Sequence, residues 1–173
     1  HNNPCGVARA GSLAEAYDKA NMADRVAAFG GAIALNREAD RETAELIVQN
    51  YAEVVVAPEF ADGVLDIFAK KKNLRVLRIE NMARLQEYDS ERCVDMKSLI
   101  DGGIITQGNF LPKSRKKEDL VPAQATYKDK EYKIQRMPTD KEYEDLLFGW
   151  MVEAGITSNS VIYVKDGVTV GIG

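Results

Sequence analysis

The chain has 173 residues, 45% of them hydrophobic and 29% charged, an ordinary balance for one globular domain with a single core. Its net charge of −4 at pH 7 provides no basic footprint for nucleic acid. No apolar run approaches the roughly 18 residues of a membrane-spanning helix, and the 2 cysteines are too few for a disulfide framework. We therefore expect a cytoplasmic protein with no nucleic-acid or membrane partner.

The first part of the chain predicts a helix, a strand and a second helix. Ser12 and Glu15 form a capping-box pattern, which predicts a helix that ends near Ala23. The apolar run 31–35 is too short for an amphipathic helix and predicts a buried strand. Asp40 is a suitable N-cap for the helix that follows.

The alternation of strands and helices continues through the middle of the chain. Residues 53–57 form a β-branched run that stops at Pro58, which predicts a strand. A helix through Val64 and Phe68 and a strand over 74–79 follow. Because the connections are short and contain helices, we expect these strands to be parallel neighbours in one sheet flanked by helices.

The periodicity of apolar residues is lost after residue 100 and returns near residue 139. Residues 101–137 lack clear periodicity, and we expect an irregular insert there. Four basic residues within 113–117 favour a solvated loop, with a phosphate site as the alternative. Thr139 and Glu142 form a second capping box, which predicts a helix. The segment 160–173 predicts a hairpin with an Asp-Gly turn.

His1 is the first candidate for chemistry, because it is the one histidine of the chain and titrates near neutrality. It opens a polar, turn-forming segment, where an imidazole can act as a general base. A zinc site of the deaminase type would need a second cysteine three residues after Cys5, and Cys93 lies far away. We therefore expect no zinc.

Two further candidates lie in loops at the ends of predicted elements. Phe29 and Gly30 precede the first predicted strand, where a glycine lets backbone N–H groups approach a ligand closely. A tight turn is the structural alternative. Asn159 lies in the polar segment 157–160, and its amide suits recognition of an amide or formyl group. Capping of the preceding helix is an equally good explanation.

Four segments together resemble the AICAR transformylase/IMP cyclohydrolase family. Residues 1–6, H-N-N-P-C-G, are similar to the family's K-H-x-N-P-C-G segment. Residues 26–36 resemble its S-A-F-G-G-I-I-A-x-N stretch, and residues 53–58 its E-V-I-I-A-P strand. Residues 158–173 resemble its S-N-S-V-x-Y-x-K block, which ends in G-I-G. The order and rough spacing of the four segments agree along nearly the whole chain.

The resemblance implies transfer of a formyl group from 10-formyltetrahydrofolate to the 5-amino group of AICAR, giving FAICAR. By position, His1 would accept a proton from the attacking amine and Asn159 would hydrogen-bond near the reacting groups. Gly30, with its neighbour Phe29, and Glu53 would contact the AICAR nucleotide. The family also implies a homodimer and a cytidine-deaminase-like α/β fold, a three-layer sandwich with a mixed sheet.

We therefore expect residues 1–173 to be part of a transformylase domain, with the cyclohydrolase domain absent. His1, Gly30, Glu53 and Asn159 are predicted to converge on one cleft of the parent protein. The lysine that precedes the family's histidine has no counterpart here, and Ala27 replaces a serine. A non-catalytic domain for purine-ribonucleotide binding or dimerisation is the alternative function, and a deaminase-like hydrolase ranks below both.

Overall fold

The computed structural model describes residues 3–88 and 91–173. Its strands are β1 (Gly31–Ala34), β2 (Ala52–Ala57), β3 (Arg75–Arg78), β4 (Val94–Ser98), β5 (Ile104–Gly108), β6 (Gln124–Tyr127), β7 (Lys130–Lys133), β8 (Ile162–Lys165) and β9 (Val168–Ile172). Its α-helices are α1 (Leu13–Ala23), α2 (Arg41–Ile47), α3 (Val64–Phe68), α4 (Leu85–Tyr88) and α5 (Asp140–Glu153). Short 3₁₀ turns occur at Met82–Arg84 and Lys117–Asp119. None of the described helices has the length and apolar character needed to cross a bilayer.

The first half of the chain forms the parallel sheet that the sequence predicts. Strands β1, β2 and β3 are neighbours in that order and all run parallel, with α2 and α3 as the crossovers. The predicted helix starts are confirmed by their caps. The Ser12 hydroxyl accepts a hydrogen bond from the Glu15 backbone at 3.2 Å, and the Asp40 carboxylate accepts one from Thr43 at 2.8 Å.

One face of this sheet packs against helices α1, α2 and α3. Val55, at the centre of β2, is fully buried and lies between Ile33 of β1 and Val76 of β3. The buried residues of the core are Tyr17, Leu35, Ala39, Ala44, Ile47, Val55, Ala57, Val64, Ile67 and Phe68. The opposite face of the sheet is open, since Ala34 is exposed and Leu77 keeps 53% of its surface in solvent. Parallel sheets are normally covered on both faces.

The last part of the chain confirms the second capping box and the predicted hairpin. The Thr139 hydroxyl and the Glu142 carboxylate cap each other's backbone at the start of α5. Strands β8 and β9 pair antiparallel, and their turn residues Asp166 and Gly167 both have positive φ, at 55° and 71°. The Asp145 carboxylate of α5 accepts hydrogen bonds from both turn amides, at 2.9 and 2.7 Å. The hairpin is therefore anchored on α5.

The expectation of an irregular insert over residues 101–137 is wrong in part. This range contains β5, which pairs antiparallel with β4, and the complete β6–β7 hairpin. Every residue of these four strands is exposed. Strands β4 (V-D-M-K-S) and β6 (Q-A-T-Y) alternate apolar and polar residues, whereas β5 and β7 do not. Because neither face of the hairpins is buried, burial imposes no consistent pattern on the four strands from which to predict them. The described chain is thus a mixed α/β structure with one parallel sheet and three antiparallel hairpins.

Candidate functional site

Gly30 lies at the amino edge of the parallel sheet, immediately before β1. Its φ of 72° is in the left-handed region, which glycine adopts without a steric penalty. Its amide donates to the Tyr51 carbonyl at 2.9 Å, so the entrance to β1 is tied to the entrance to β2. Because glycine has no Cβ, a neighbouring group can approach the backbone closely at this point.

An aromatic pair lies beside this glycine. The rings of Phe29 and Tyr51 have their centroids 5.0 Å apart and are tilted by 36°. Phe29 is 74% exposed and Tyr51 45% exposed, although each is a large apolar side chain. The Tyr51 ring also covers Gly30, because a Cβ added there would lie 3.4 Å from its nearest ring carbon. The pair presents an open aromatic surface.

Glu53 completes the cluster at the start of β2. The Tyr51 hydroxyl donates to Glu53 Oε1 at 3.2 Å, and Arg75 Nη1 lies 3.9 Å from Glu53 Oε2. The carboxylate therefore has a partner at each oxygen while it remains about half exposed. Phe29, Gly30 and Glu53, all proposed from the sequence, thus form one cluster with Tyr51 and Arg75, which we call the amino-edge cluster.

No sequence motif indicated Tyr51 or Arg75 as part of the site. A local signal for Tyr51 existed, because residues two apart in an extended segment share a face and Tyr51 precedes Glu53 by two. Arg75 has no such signal. It reaches Glu53 because the parallel register places it opposite Val54, and that register is a property of the fold.

Asn159 belongs to a second group at the other end of the chain. The Asn3 side-chain oxygen accepts hydrogen bonds from the backbone and the hydroxyl of Thr157, both at 3.0 Å. The N-terminal segment and the 157–160 loop, which the sequence analysis singled out independently, are therefore in contact. Asn159 itself is exposed, and Ser158 beside it has a φ of 72°. Non-glycine residues in this conformation are concentrated at functional sites and tight turns.

The structure shows only part of the predicted convergence of His1, Gly30, Glu53 and Asn159. Gly30 and Glu53 lie together, whereas no hydrogen bond of the described residues joins them to Asn159. His1 lies outside the described residues. The meeting of all four in one cleft stays a prediction about the parent protein.

A cleft of about 810 Å³ runs between α5 and the β8 strand. The aromatic residues Trp150 and Tyr163 line it, together with Leu146 and Gly149. Gly149 lets the helix approach the strand closely, because a Cβ there would meet Val164 at 3.1 Å. Sequence patterns did not indicate this cleft, since its walls come from elements that pair only in the folded chain.

The basic segment 113–117 is engaged in contacts with the rest of the protein. Lys117 Nζ lies 2.5 Å from an Asp140 carboxylate oxygen and 4.8 Å from the centre of the Tyr143 ring. The hydrogen bond to Asp140 raises the pKa of Lys117 above its usual value. Arg115 donates to the Pro112 carbonyl at 3.1 Å. Two of the four basic side chains are thus engaged within the protein, so the segment is partly packed against α5 rather than fully solvated.

The described residues contain no cluster of three His, Cys, Asp or Glu side chains with metal-site geometry. Cys5 and Cys93 are both free thiols, the first half-buried and the second exposed. The side chains of the amino-edge cluster offer hydrogen bonding, charge and aromatic stacking.

The fold and this cluster define an α/β protein with an exposed aromatic and carboxylate site at one edge of a parallel sheet. Comparison with known sequences gives its family. The model of the AICARFT/IMPCHase bienzyme family matches residues 1–173, and the chain belongs to this family. The resemblance drawn from the four sequence segments is confirmed.

Curated relatives agree with this assignment. The bifunctional purine biosynthesis protein PurH of Ruegeria sp. (strain TM1040) is 42% identical over 173 residues, which are 100% of this chain and 30% of the relative. The protein of the same name from Cereibacter sphaeroides (strain ATCC 17025 / ATH 2.4.3) is 43% identical over 175 residues, with the same two shares. That of Caldicellulosiruptor saccharolyticus is 38% identical over 173 residues, again 100% of this chain and 30% of the relative. The chain thus spans about 30% of the length of these relatives.

Proposed function

We propose that this chain forms part of the formyltransferase unit of a purine-biosynthesis enzyme. The reaction transfers a formyl group from 10-formyltetrahydrofolate to the 5-amino group of AICAR and gives FAICAR and tetrahydrofolate. The observation that carries the proposal is the family match over the whole chain, with the family's glycine and glutamate segments meeting in the amino-edge cluster. The names of the relatives support a role in purine biosynthesis.

The chemistry requires a base at the attacking amine. An arylamine next to a carboxamide is a poor nucleophile, so its nitrogen has to lose a proton as it bonds to the formyl carbon. We assign this proton to His1, whose unperturbed pKa is near neutrality. The bond from the formyl carbon to N10 of the folate then breaks, and N10 takes up a proton. The Asn159 amide donates toward the oxyanion of the tetrahedral intermediate.

The amino-edge cluster is assigned to substrate binding. The left-handed backbone at Gly30 permits close approach of a nucleotide, and the exposed Phe29 ring offers a face for a planar heterocycle. The Glu53 carboxylate accepts hydrogen bonds from hydroxyl or amino groups. All three groups lie at the start of adjacent strands of one rigid sheet.

The open face of the sheet supports the remaining structural proposals. A parallel sheet with one uncovered apolar face needs a further layer, and the cytidine-deaminase-like three-layer sandwich supplies one. We propose that this layer comes from the rest of a parent protein, which acts in the cytoplasm as a homodimer. The homodimer and the cytoplasmic location are drawn from the family resemblance.

The test uses the full-length protein that carries this sequence, assayed with AICAR and 10-formyltetrahydrofolate for tetrahydrofolate formation. The variant His1→Ala should lower kcat by at least about a hundredfold, because general-base catalysis contributes about 10² to 10⁴. It should change the dissociation constant of AICAR by less than about threefold. The matched control is Lys128→Ala, in the exposed β6–β7 turn, which should leave both quantities unchanged.

The alternative function makes a different prediction for the same protein. A non-catalytic module for ribonucleotide binding or dimerisation would bind AICAR without any formyl transfer. Absence of turnover in the intact protein at saturating concentrations of both substrates would overturn the transferase proposal. Turnover that His1→Ala leaves intact would overturn the role of His1 alone.

A further inference from the structure

We propose that Tyr51 and Arg75 are positioning residues that hold the Glu53 carboxylate in its binding orientation. The inference rests on the proposed function, because Glu53 is assigned there to nucleotide binding. Neither residue belongs to a sequence motif, and each contacts one oxygen of the Glu53 carboxylate. Tyr51 has a second role as the wall that shapes the approach to Gly30.

Tyr51 and Arg75 contact different oxygens of the Glu53 carboxylate. The Tyr51 hydroxyl donates to Oε1 at 3.2 Å, whereas the Arg75 guanidinium lies 3.9 Å from Oε2, an ion-pair distance without a direct hydrogen bond. Arg75 is itself held, because its Nη1 also donates to the Asn73 carbonyl at 3.1 Å. Each carboxylate oxygen has more than one lone pair, so both remain able to accept a bond from a ligand.

Tyr51 is held by contacts of its backbone and its ring with Phe29 and Gly30. Its backbone carbonyl accepts the Gly30 amide, its ring lies over Gly30, and Phe29 packs beside it. A phenol whose ring is constrained in this way directs its hydroxyl to one point. Since glutamate side chains lose rotational freedom on binding, holding Glu53 in advance reduces the free-energy cost of ligand binding.

A purely stabilising role explains these contacts less well. Exposed ion pairs contribute little to the stability of a protein, and the Arg75 and Glu53 side chains are 65% and 48% exposed. Arg78, at the other end of β3, can be compared with Arg75, because it also pairs with carboxylates. It lies 3.2 Å from Glu59 and 2.8 Å from Glu80. Those pairs lie on the opposite edge of the sheet, away from Gly30.

The experiment measures AICAR affinity and kinetics in the full-length protein. Tyr51→Phe removes the hydroxyl and keeps the ring, and Arg75→Ala removes the cation. Each should raise the dissociation constant and KM for AICAR about three- to tenfold, less than the loss of a direct bond to a charged group because the effect acts through Glu53, with kcat within about twofold of the unsubstituted protein. Arg78→Ala is the matched control and should leave KM unchanged. Thermal melting of all variants reports whether any effect comes from stability.

A double-mutant cycle tests whether the effect of Tyr51→Phe on AICAR affinity acts through Glu53. If Tyr51 acts through Glu53, Tyr51→Phe should change affinity less than about twofold in a Glu53→Ala background, which removes both carboxylate oxygens. Where Glu53→Ala binds too weakly for measurement, Glu53→Asp provides the second background, in which the shorter side chain moves the carboxylate away from the hydroxyl. Additive effects in either background, or equal effects of Arg75→Ala and Arg78→Ala, would overturn the inference.

The outcomes also separate this inference from the proposed function. A parent protein without formyl transfer refutes the proposed function, whatever Tyr51 does. A protein with normal turnover and an unchanged KM in Tyr51→Phe and Arg75→Ala refutes the positioning roles and leaves the proposed function standing.

Discussion

Replacement of Gly30 by alanine tests the link between backbone conformation and the amino-edge cluster. The left-handed conformation costs an alanine about 1 kcal/mol that glycine does not lose. The added Cβ would lie 3.4 and 3.6 Å from two carbons of the Tyr51 ring and 3.8 Å from Glu53 Oε1. These are ordinary van der Waals distances and add little repulsion. We therefore expect Gly30→Ala to lower the free energy of unfolding by about 1 kcal/mol.

Gly63 provides the matched control for this substitution. Its φ of 78° is close to that of Gly30, and a Cβ added there meets nothing within 4 Å. Gly63→Ala should therefore lose a similar free energy of unfolding, measured by urea denaturation followed by far-UV circular dichroism. AICAR affinity, measured by titration calorimetry on the full-length protein, should fall only for Gly30→Ala, because its new methyl group occupies space beside Tyr51 and Glu53.

The result that would refute this reasoning is specific. A Gly30→Ala variant as stable as the unsubstituted chain would contradict the conformational argument. Equal losses of AICAR affinity in both variants would show that the effect comes from general destabilisation rather than from the cluster.

Two further predictions concern stability. Thr43 is fully buried, and its hydroxyl has no hydrogen-bond partner in the described part of the chain, so Thr43→Val should leave the free energy of unfolding unchanged or raise it by up to about 1 kcal/mol in urea denaturation. Thr169→Val, at an equally buried hydroxyl that bonds both backbone groups of Val7, should instead lower it by about 1 to 3 kcal/mol, and the opposite order would contradict the argument. Hydrogen bonds from Arg136 and from the Thr139 backbone lower the pKa of Glu142 to about 2, well below its usual value of 4.5. Because the folded-state pKa is depressed, this carboxylate stabilises α5 fully above pH 4.5 and loses that effect as the pH falls toward 2. The difference in melting temperature between the unsubstituted chain and Glu142→Gln should therefore shrink over this window, and a constant difference would argue against it.

The regular elements of the first half were predictable because their signals are local. The caps at Ser12 and Asp40 and the β-branched run of β2 each act within a few residues, and the parallel pairing follows from helical crossovers. The capping box at Thr139 is an equally local signal. Such signals describe one element at a time, and here each element formed where its signal lay.

The remaining features depend on contacts that a single segment does not contain. The β4–β5 and β6–β7 hairpins are exposed on both faces, so burial imposed no pattern shared by their four strands. The pairing of Asn3 with Thr157 joins residues 154 positions apart. Motifs indicated Gly30 and Glu53 as separate candidates, while the partner Arg75 came into view only with the register of β3.

The direction of the crossover helices determines which charges meet a ligand at the amino edge. Helices that connect parallel strands run opposite to them, so α2 and α3 direct their C-terminal ends toward this edge. These ends carry partial negative charge, whereas most doubly wound proteins bind phosphates at helix N-termini on the other edge. An anion here must therefore be balanced by side chains. Lys71 and Lys72 line a pocket of about 140 Å³ with Tyr51, so cations already lie on this side of the sheet.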